Sequence, residues 1–322
     1  MDKLFLKLYR QCIGFNYTVK AMNRPAHNIR NGLWLGTLGV AIFALTLSMT
    51  RLAVGTPEAP QMSGIFIASG RAVVAALLSA AFLLATRASW PKRSDWIPLG
   101  VVALGVVFGF PLCSSIAMRH VEAVHASVMV GVLPLATAAV GALLHRQRPS
   151  AGFWLCAGVG SALVVAFAML RSGHGGWLLA PADALLLLAM ACAAVGYGVG
   201  AQLSQRMRAE DVICWALVFS LPLNLPLALV EWPQAAIKTE AWLALAYVAV
   251  FSMWLGFFAW YRGLALGGTV RVSQMQLLQP FLSMLLAVPL LGESLDVVST
   301  GFGLAVIAVV FMGRKMPIHT SP

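Results

Sequence analysis

VEAVHASVMVGVLPLATAAVGALL (Val121–Leu144) and GGTVRVSQMQLLQPFLSMLLAVPL (Gly267–Leu290) stand 146 residues apart and share their marked positions in the same order: Ser127 with Ser273, Pro134 with Pro280, Thr137 with Ser283. Each is about as long as the ~20 apolar residues a helix needs to cross a bilayer, yet each carries a proline at its middle. Pro134 cannot donate to the Val130 carbonyl, nor Pro280 to that of Gln276, so each helix frees a backbone acceptor near mid-depth. Hydrocarbon cannot satisfy that acceptor. Broken backbone persists in a membrane only where protein buries it or a water-filled cavity meets it, so the pair is expected to break at these prolines and to wall a central path.

Working outward, the composition fits such a chain. Of 322 residues 60% are hydrophobic and 10% charged, with a mean hydropathy of +0.84. Soluble domains are roughly one-quarter charged, so an all-α polytopic membrane protein is expected. A net charge of +11 could suggest nucleic acid, but the basic residues are scattered between apolar runs and form no binding face. Five cysteines (Cys12, Cys113, Cys156, Cys192, Cys214) are odd in number and unclustered, which points to packing and to neither a disulfide frame nor a metal site.

Hydrophobic windows give ten transmembrane spans, at about 32–54, 62–85, 96–117, 123–144, 151–170, 180–202, 211–231, 241–262, 269–290 and 296–313. With the N-terminus inside, the cytoplasmic ends hold seventeen Lys/Arg and the outer ends four (Arg51, Arg119, Arg171, Lys238), leaving Arg71 within a span. That asymmetry follows the positive-inside rule and places both termini in the cytoplasm. Residues 1–31 form a basic cytoplasmic tail, too interrupted to be a signal peptide; Met22 offers a second start directly before the first span, so residues 1–21 are an expected over-extension. A connector at 171–179 divides the spans into two sets of five, 32–170 and 180–313, and 314–322 is the C-terminal tail. An odd number per set makes the second enter the membrane upside down relative to the first, an inverted repeat. The 146-residue offset runs ungapped from Trp96/Trp242 to Leu144/Leu290, and it rests on the placed Ser, Pro and Trp more than on the few identities. Inverted repeats with broken helices at matching positions point to a secondary transporter with a mid-membrane site.

These features also resemble a known family. HVEAVHASVMVGVLPLATAAVGALLHRQRPS, its partner LALGGTVRVSQMQLLQPFLSMLLAVPLLGESLD, Arg71 in ASGRAVVAALLSAAFLLATR and the ten-span layout resemble the drug/metabolite transporter superfamily, EamA type, over residues 32–313. The resemblance implies a bacterial inner-membrane carrier of five-plus-five inverted topology, often an exporter of amino acids or other small metabolites. The family usually ends both repeat helices with a Gly-Glu pair. This chain keeps Gly292 and Glu293 but has Arg146 and Gln147 in the first half.

Candidate substrate-path residues follow from polarity at apolar positions. Ser273, Gln276, Gln279, Pro280 and Ser283 share one helical face of about 120°, where the alternative to a cavity is hydrogen bonding between helices. Their first-half counterparts include Ser127 and Thr137, but Gln276 and Gln279 become Val130 and Leu133, so substrate polar groups are expected to lean on the second half. Arg71 is either the anchor of a substrate carboxylate or a structural pair with a carbonyl or an acid such as Glu122. The eleven acids lie in the tail, in connections or near span ends, so a carboxylate relay through the centre is absent. A coupling proton would need His125, Glu122 or Asp183, with His125 the candidate carrier. Trp254, Phe257, Phe258 and Tyr261 recur at helical spacing and line a hydrophobic cavity with Tyr197 and Phe110, or else grade into an interfacial belt at Trp260 and Tyr261. Pro222 and Pro226, around Asn224, are expected as further helix breaks, and Gly196, Gly198 and Gly200 as a close-approach face beside Tyr197.

The expected function is thus a secondary transporter of a small amphipathic metabolite, with membrane lipids as surroundings, a coupling ion such as a proton, no cofactor and no nucleic acid. The sequence does not fix an oligomeric state. A membrane-embedded enzyme acting on a lipid-like substrate is the competing class, but the chain has no H-E-x-x-H, no paired intramembrane carboxylates and no Walker loop. A non-transporting helical partner is the third.

Overall fold

A computed structural model describes residues 26–144, 147–171, 180–267, 272, 275–276, 278–314 and 318–320. Among the described residues the named elements are helices apart from one two-stranded pairing. Seven helices are long and apolar enough to cross a membrane: Asn28–Val54, Gly64–Ala85, Arg93–Ala117, Ala123–Gly141, Pro181–Leu203, Ala209–Val230 and Thr239–Gly267. The remaining three of the ten expected windows hold shorter apolar helices, Trp154–Phe167, Leu278–Leu291 and Val297–Val309. Large apolar side chains such as Trp34, Leu84, Val230 and Val297 point outward, as they do where hydrocarbon is the solvent.

In chain order the elements are α1 (Ala26–Ala44), α2 (Thr46–Val54), α3 (Gly64–Ala85), α4 (Arg93–Val102), α5 (Phe110–Ala117), α6 (Ala123–Val130), α7 (Leu133–Leu144), α8 (Ala151–Arg171), α9 (Pro181–Leu203), α10 (Ala209–Val230), α11 (Thr239–Tyr247), α12 (Gly256–Gly267), α13 (Leu278–Leu291) and α14 (Val297–Arg314). Strand β1 (Gln147–Pro149) pairs antiparallel with β2 (Ile318–Thr320). Helix α1 therefore begins six residues inside the expected N-terminal tail, and the expected C-terminal tail contributes a strand. The supposed over-extension, residues 1–21, lies outside the described residues, as do residues 22–25.

The helix ends have local chemical causes. Ser63 caps α3 by accepting from the Phe66 N–H at 3.0 Å, and the Asp296 carboxylate does the same for Ser299 N–H at 2.8 Å ahead of α14. Helix α6 starts with no cap of its own; the Glu293 carboxylate, 170 residues away, accepts from Ala123 N–H and Val124 N–H, both at 2.8 Å. A carboxylate at a helix N-terminus meets both the orphan donors and the positive dipole end.

Two π-helical segments interrupt the third and eighth expected spans, at Ala103–Gly109 and Val248–Leu255. Shifting the first by 146 residues lands inside the second, so the repeat is written in the backbone at a place where the sequences barely agree. Packing between the halves is reciprocal. Helix α1 packs on α12, as α9 packs on the first π segment and α5, while α3 packs on α10, α6 on α13 and α8 on α14. The α1–α12 crossing is close because both faces are glycine: a Cβ on Gly32 would strike the Gly267 backbone, and one on Gly263 would meet Gly36 N at 2.8 Å.

The proline expectations divide. The fourth expected span does break just before Pro134, at Gly131–Val132, and α13 begins only at Leu278, two residues before Pro280 and after a short 3₁₀ turn at Met275–Gln276. Pro222 and Pro226, expected as breaks, instead lie inside the uninterrupted α10. Polar side chains serve the backbone there: Ser220 Oγ donates to Leu217 O at 2.7 Å and Asn224 Nδ2 to Ser220 O at 3.1 Å. An unforeseen break occurs at Leu45, between α1 and α2.

Candidate functional site

Five irregular stretches of backbone converge on one buried cavity. The break at Leu45 supplies Phe43, Thr46 and Leu47; the first π segment and the residue after it supply Val106 and Phe110; the break before Pro134 supplies Val130 and Leu133. The second π segment and the start of α12 supply Ser252, Met253 and Phe257, and Gln279 comes from the start of α13. Arg71 on α3 and Tyr197 on α9 complete the wall. Non-helical backbone in hydrocarbon is costly except around such a cavity, which makes the convergence the structural logic of the site. The free volume is about 20 Å³, room for about one water. Small-molecule pockets are roughly 300–1,000 Å³, so the walls must part to admit a metabolite.

The polar groups on the wall form a short chain. Arg71 is 1% exposed, and its Nη2 donates to Ser252 Oγ at 3.0 Å, which in turn shares a 2.8 Å hydrogen bond with Thr46 Oγ1. Arg71 Nε and Nη1, together with Gln279 Oε1, have no hydrogen-bond partner among the described residues. The ion pair with an acid such as Glu122 that the sequence leaves open for Arg71 does not form; the described salt bridges join His125–Asp183, Arg206–Asp95, Arg208–Asp211 and Arg262–Glu210. Pairs at the 146-residue offset show how the halves differ: Ser252 faces the cavity opposite Val106, and Gln279 opposite Leu133.

Of the sequence candidates, the cavity thus gathers Arg71, Phe110, Tyr197, Phe257 and Gln279. The others go elsewhere. Ser127 Oγ donates to Ala123 O within its own helix at 2.6 Å, and Thr137 is buried away from the cavity with its hydroxyl unpartnered among the described residues. Ser283 Oγ donates to Ala44 O at 2.8 Å, bracing α13 against the Leu45 break. Gln276 is 1% exposed and off the cavity wall, with neither amide atom partnered among the described residues, and Ser273 lies outside them.

The aromatic stripe is split. Phe257 reaches the cavity, whereas Trp254 packs off its wall on Phe82 and Phe258. A π segment ending at Leu255 shifts the angular register, so i, i+3, i+4, i+7 spacing across it no longer marks one face. Tyr261 and Trp260 are fully buried, which removes the interfacial-belt alternative; Tyr261 Oη donates to Gly196 O at 3.3 Å, and its ring lies where a Cβ on Gly200 would sit. His125 Nε2 meets Asp183 Oδ1 at 2.7 Å with both groups buried, a pair 58 residues apart in sequence whose ring partner is Phe167.

Residues 30–170 and 180–314 each match the EamA-like transporter family. The chain belongs to that family. It is 44% identical over 287 residues to the uncharacterized transporter YdeK of Bacillus subtilis (strain 168), covering 88% of this chain and 97% of that one. A crystal structure of another protein shares the fold with a TM-score of 0.60 at 19% identity, over 89% of this chain and 96% of that chain. As an EamA-like transporter the protein is an integral membrane protein with two repeats, and its family places a small molecule as what it handles.

In this EamA-like transporter the one retained Gly-Glu pair has a visible task. Gly292 takes φ +68°, a left-handed turn that glycine adopts without strain, and Glu293 then swings onto the α6 N-terminus. Its offset counterpart, Gln147, lies in β1 paired with Thr320.

Proposed function

We propose that this EamA-like transporter is a secondary carrier that moves a small amphipathic metabolite outward by alternating access, with ten helices in two inverted five-helix repeats, in a bacterial cell membrane with both termini cytoplasmic. The observation that carries it is the convergence of five irregular stretches of helical backbone on one buried, partly polar cavity. Contacts at the helix ends support the topology. Arg206–Asp95 and Arg262–Glu210 join connections expected inside, whereas Ser63–Glu231, Arg51–Met118 and Glu293–Ala123 join those expected outside. Substrate contacts are assigned to Arg71, Tyr197 and Gln279, with Gln276 entering as the ninth span moves. Proton coupling is assigned to His125 with Asp183, whose outer-end position suits exchange with one side of the membrane.

Flux into proteoliposomes, with a metabolite panel and an imposed proton gradient, tests this. Gradient-dependent uptake that Asp183→Asn uncouples is the expected result. Uptake indifferent to every gradient, or absent for the whole panel, contradicts secondary transport.

A further inference from the structure

Arg71 carries a charge into the middle of the protein without a counter-charge. Its guanidinium is bonded only through Nη2, to a serine hydroxyl, and Nε and Nη1 have no hydrogen-bond partner among the described residues. Nearly every acid of the chain is described, and the ones that could serve are engaged elsewhere: Asp95 with Arg206, Asp183 with His125, Glu231 with Ser63, Glu293 with the α6 N-terminus. None lines the cavity. An unpaired buried cation is among the costliest features a membrane protein can keep, and it is kept where it meets a substrate.

The cavity wall also carries an aromatic cluster, with Phe43 and Phe257 at 5.0 Å and Tyr197 and Phe257 at 5.9 Å between ring centroids. Resting on the transporter reading above, we infer that the cavity selects organic monoanions: a carboxylate held by the free Nε and Nη1 of Arg71, and an apolar aryl or branched body laid against the Phe43–Phe257 pair. Charge decides against the zwitterionic amino acids that the family resemblance suggests. A ligand of net charge −1 neutralises Arg71, whereas a zwitterion leaves the site at +1 and brings an ammonium that finds no carboxylate on the wall. Gln279 then acts as the neutral discriminator, its free Oε1 accepting from a hydroxyl or amide N–H on the ligand body.

Four probes with one apolar body separate these charge classes: 3-phenylpropionate, L-phenylalanine, 2-phenylethylamine and 3-phenylpropanol, titrated into the purified full chain in detergent. The expected result is binding of 3-phenylpropionate at least about tenfold tighter than the other three, lost by about tenfold or more in Arg71→Met and partly kept in Arg71→Lys. The unaltered protein decides the matter even where Arg71→Met fails to fold. Equal binding of all four, preference for the zwitterion or the amine, no binding of any, or undiminished binding of 3-phenylpropionate by folded Arg71→Met overturns the inference. The two readings fail separately. Flux of phenylalanine without binding of phenylpropionate removes the charge assignment and leaves the carrier, while Arg71-dependent binding of phenylpropionate with no flux of it keeps the assignment and removes the carrier.

Discussion

The two proline-broken crossings have the same backbone plan and opposite chemistry. Around Pro134 the cavity-facing residues are Val130 and Leu133, and the one serine turns back on its own helix. Around Pro280 the cavity receives Gln279, and Ser283 crosses to the Ala44 carbonyl at the break in the first span. Their fastening differs as well: the first crossing begins under the Glu293 carboxylate, while the matching position for the second, Gln147, is committed to a strand with the C-terminal segment. The repeat thus preserves where helices break, since the breaks border the cavity, while the residues at the breaks diverge and give the two halves of its wall different polarity.

The largest effect expected from this contrast is at Glu293. Glu293→Ala removes two charge-assisted bonds to the α6 N-terminus and should cost about 1.5–3 kcal/mol, read as a lowered Tm in detergent, whereas Gln147→Glu should change little because residue 147 is held in β1 by its pairing with Thr320. A Tm unmoved by Glu293→Ala would mean the first crossing is held by packing alone. Next comes Gln279→Leu, which makes the second crossing resemble the first at the cavity. Substrate affinity should fall by about 0.5–1.5 kcal/mol with the folded yield preserved, and Gln276→Leu should fall by less because its amide is off the wall. Reduced yield with unchanged affinity in the surviving protein would return Gln279 to a packing role. Of similar size at one position and smallest at the other is the pair of serines. Ser283→Ala should cost about 0.5–1.5 kcal/mol of stability for a bond between segments, and Ser127→Ala close to nothing, since it only adds a second donor to a carbonyl its helix already serves. Equal losses would erase the distinction between the crossings.

Much of this arrangement is legible in the sequence. The 146-residue offset, the breaks beside Pro134 and Pro280, and the buried charge of Arg71 follow from spacing and from the price hydrocarbon sets on polar groups. Contacts that depend on the halves meeting are not legible. Thr46 and Ser252, which complete the Arg71 chain, are 206 residues apart and look like ordinary small residues in apolar runs. Nor do the π segments have a composition of their own, which is why the aromatic spacing around Trp254 pointed to a face that does not exist. Pro222 and Pro226 do not interrupt α10, and neither Ser220, which bonds Leu217 O, nor Asn224, which bonds Ser220 O, reaches the carbonyls those prolines leave unserved, so position in sequence alone does not mark a break.

The central claim is that this cavity, and not another part of the crossings, is the route between the two sides of the membrane. Its most direct test is cysteine accessibility in a background lacking the five native cysteines, comparing Ser252→Cys on the cavity wall with Ser127→Cys, equally buried on the first crossing but off the wall. A small membrane-impermeant thiol reagent applied to vesicles of either orientation should modify Ser252→Cys from both sides at comparable rates and leave Ser127→Cys unmodified. Protection of Ser252→Cys from both sides, or reaction from one side only under every gradient, would contradict alternating access through this site.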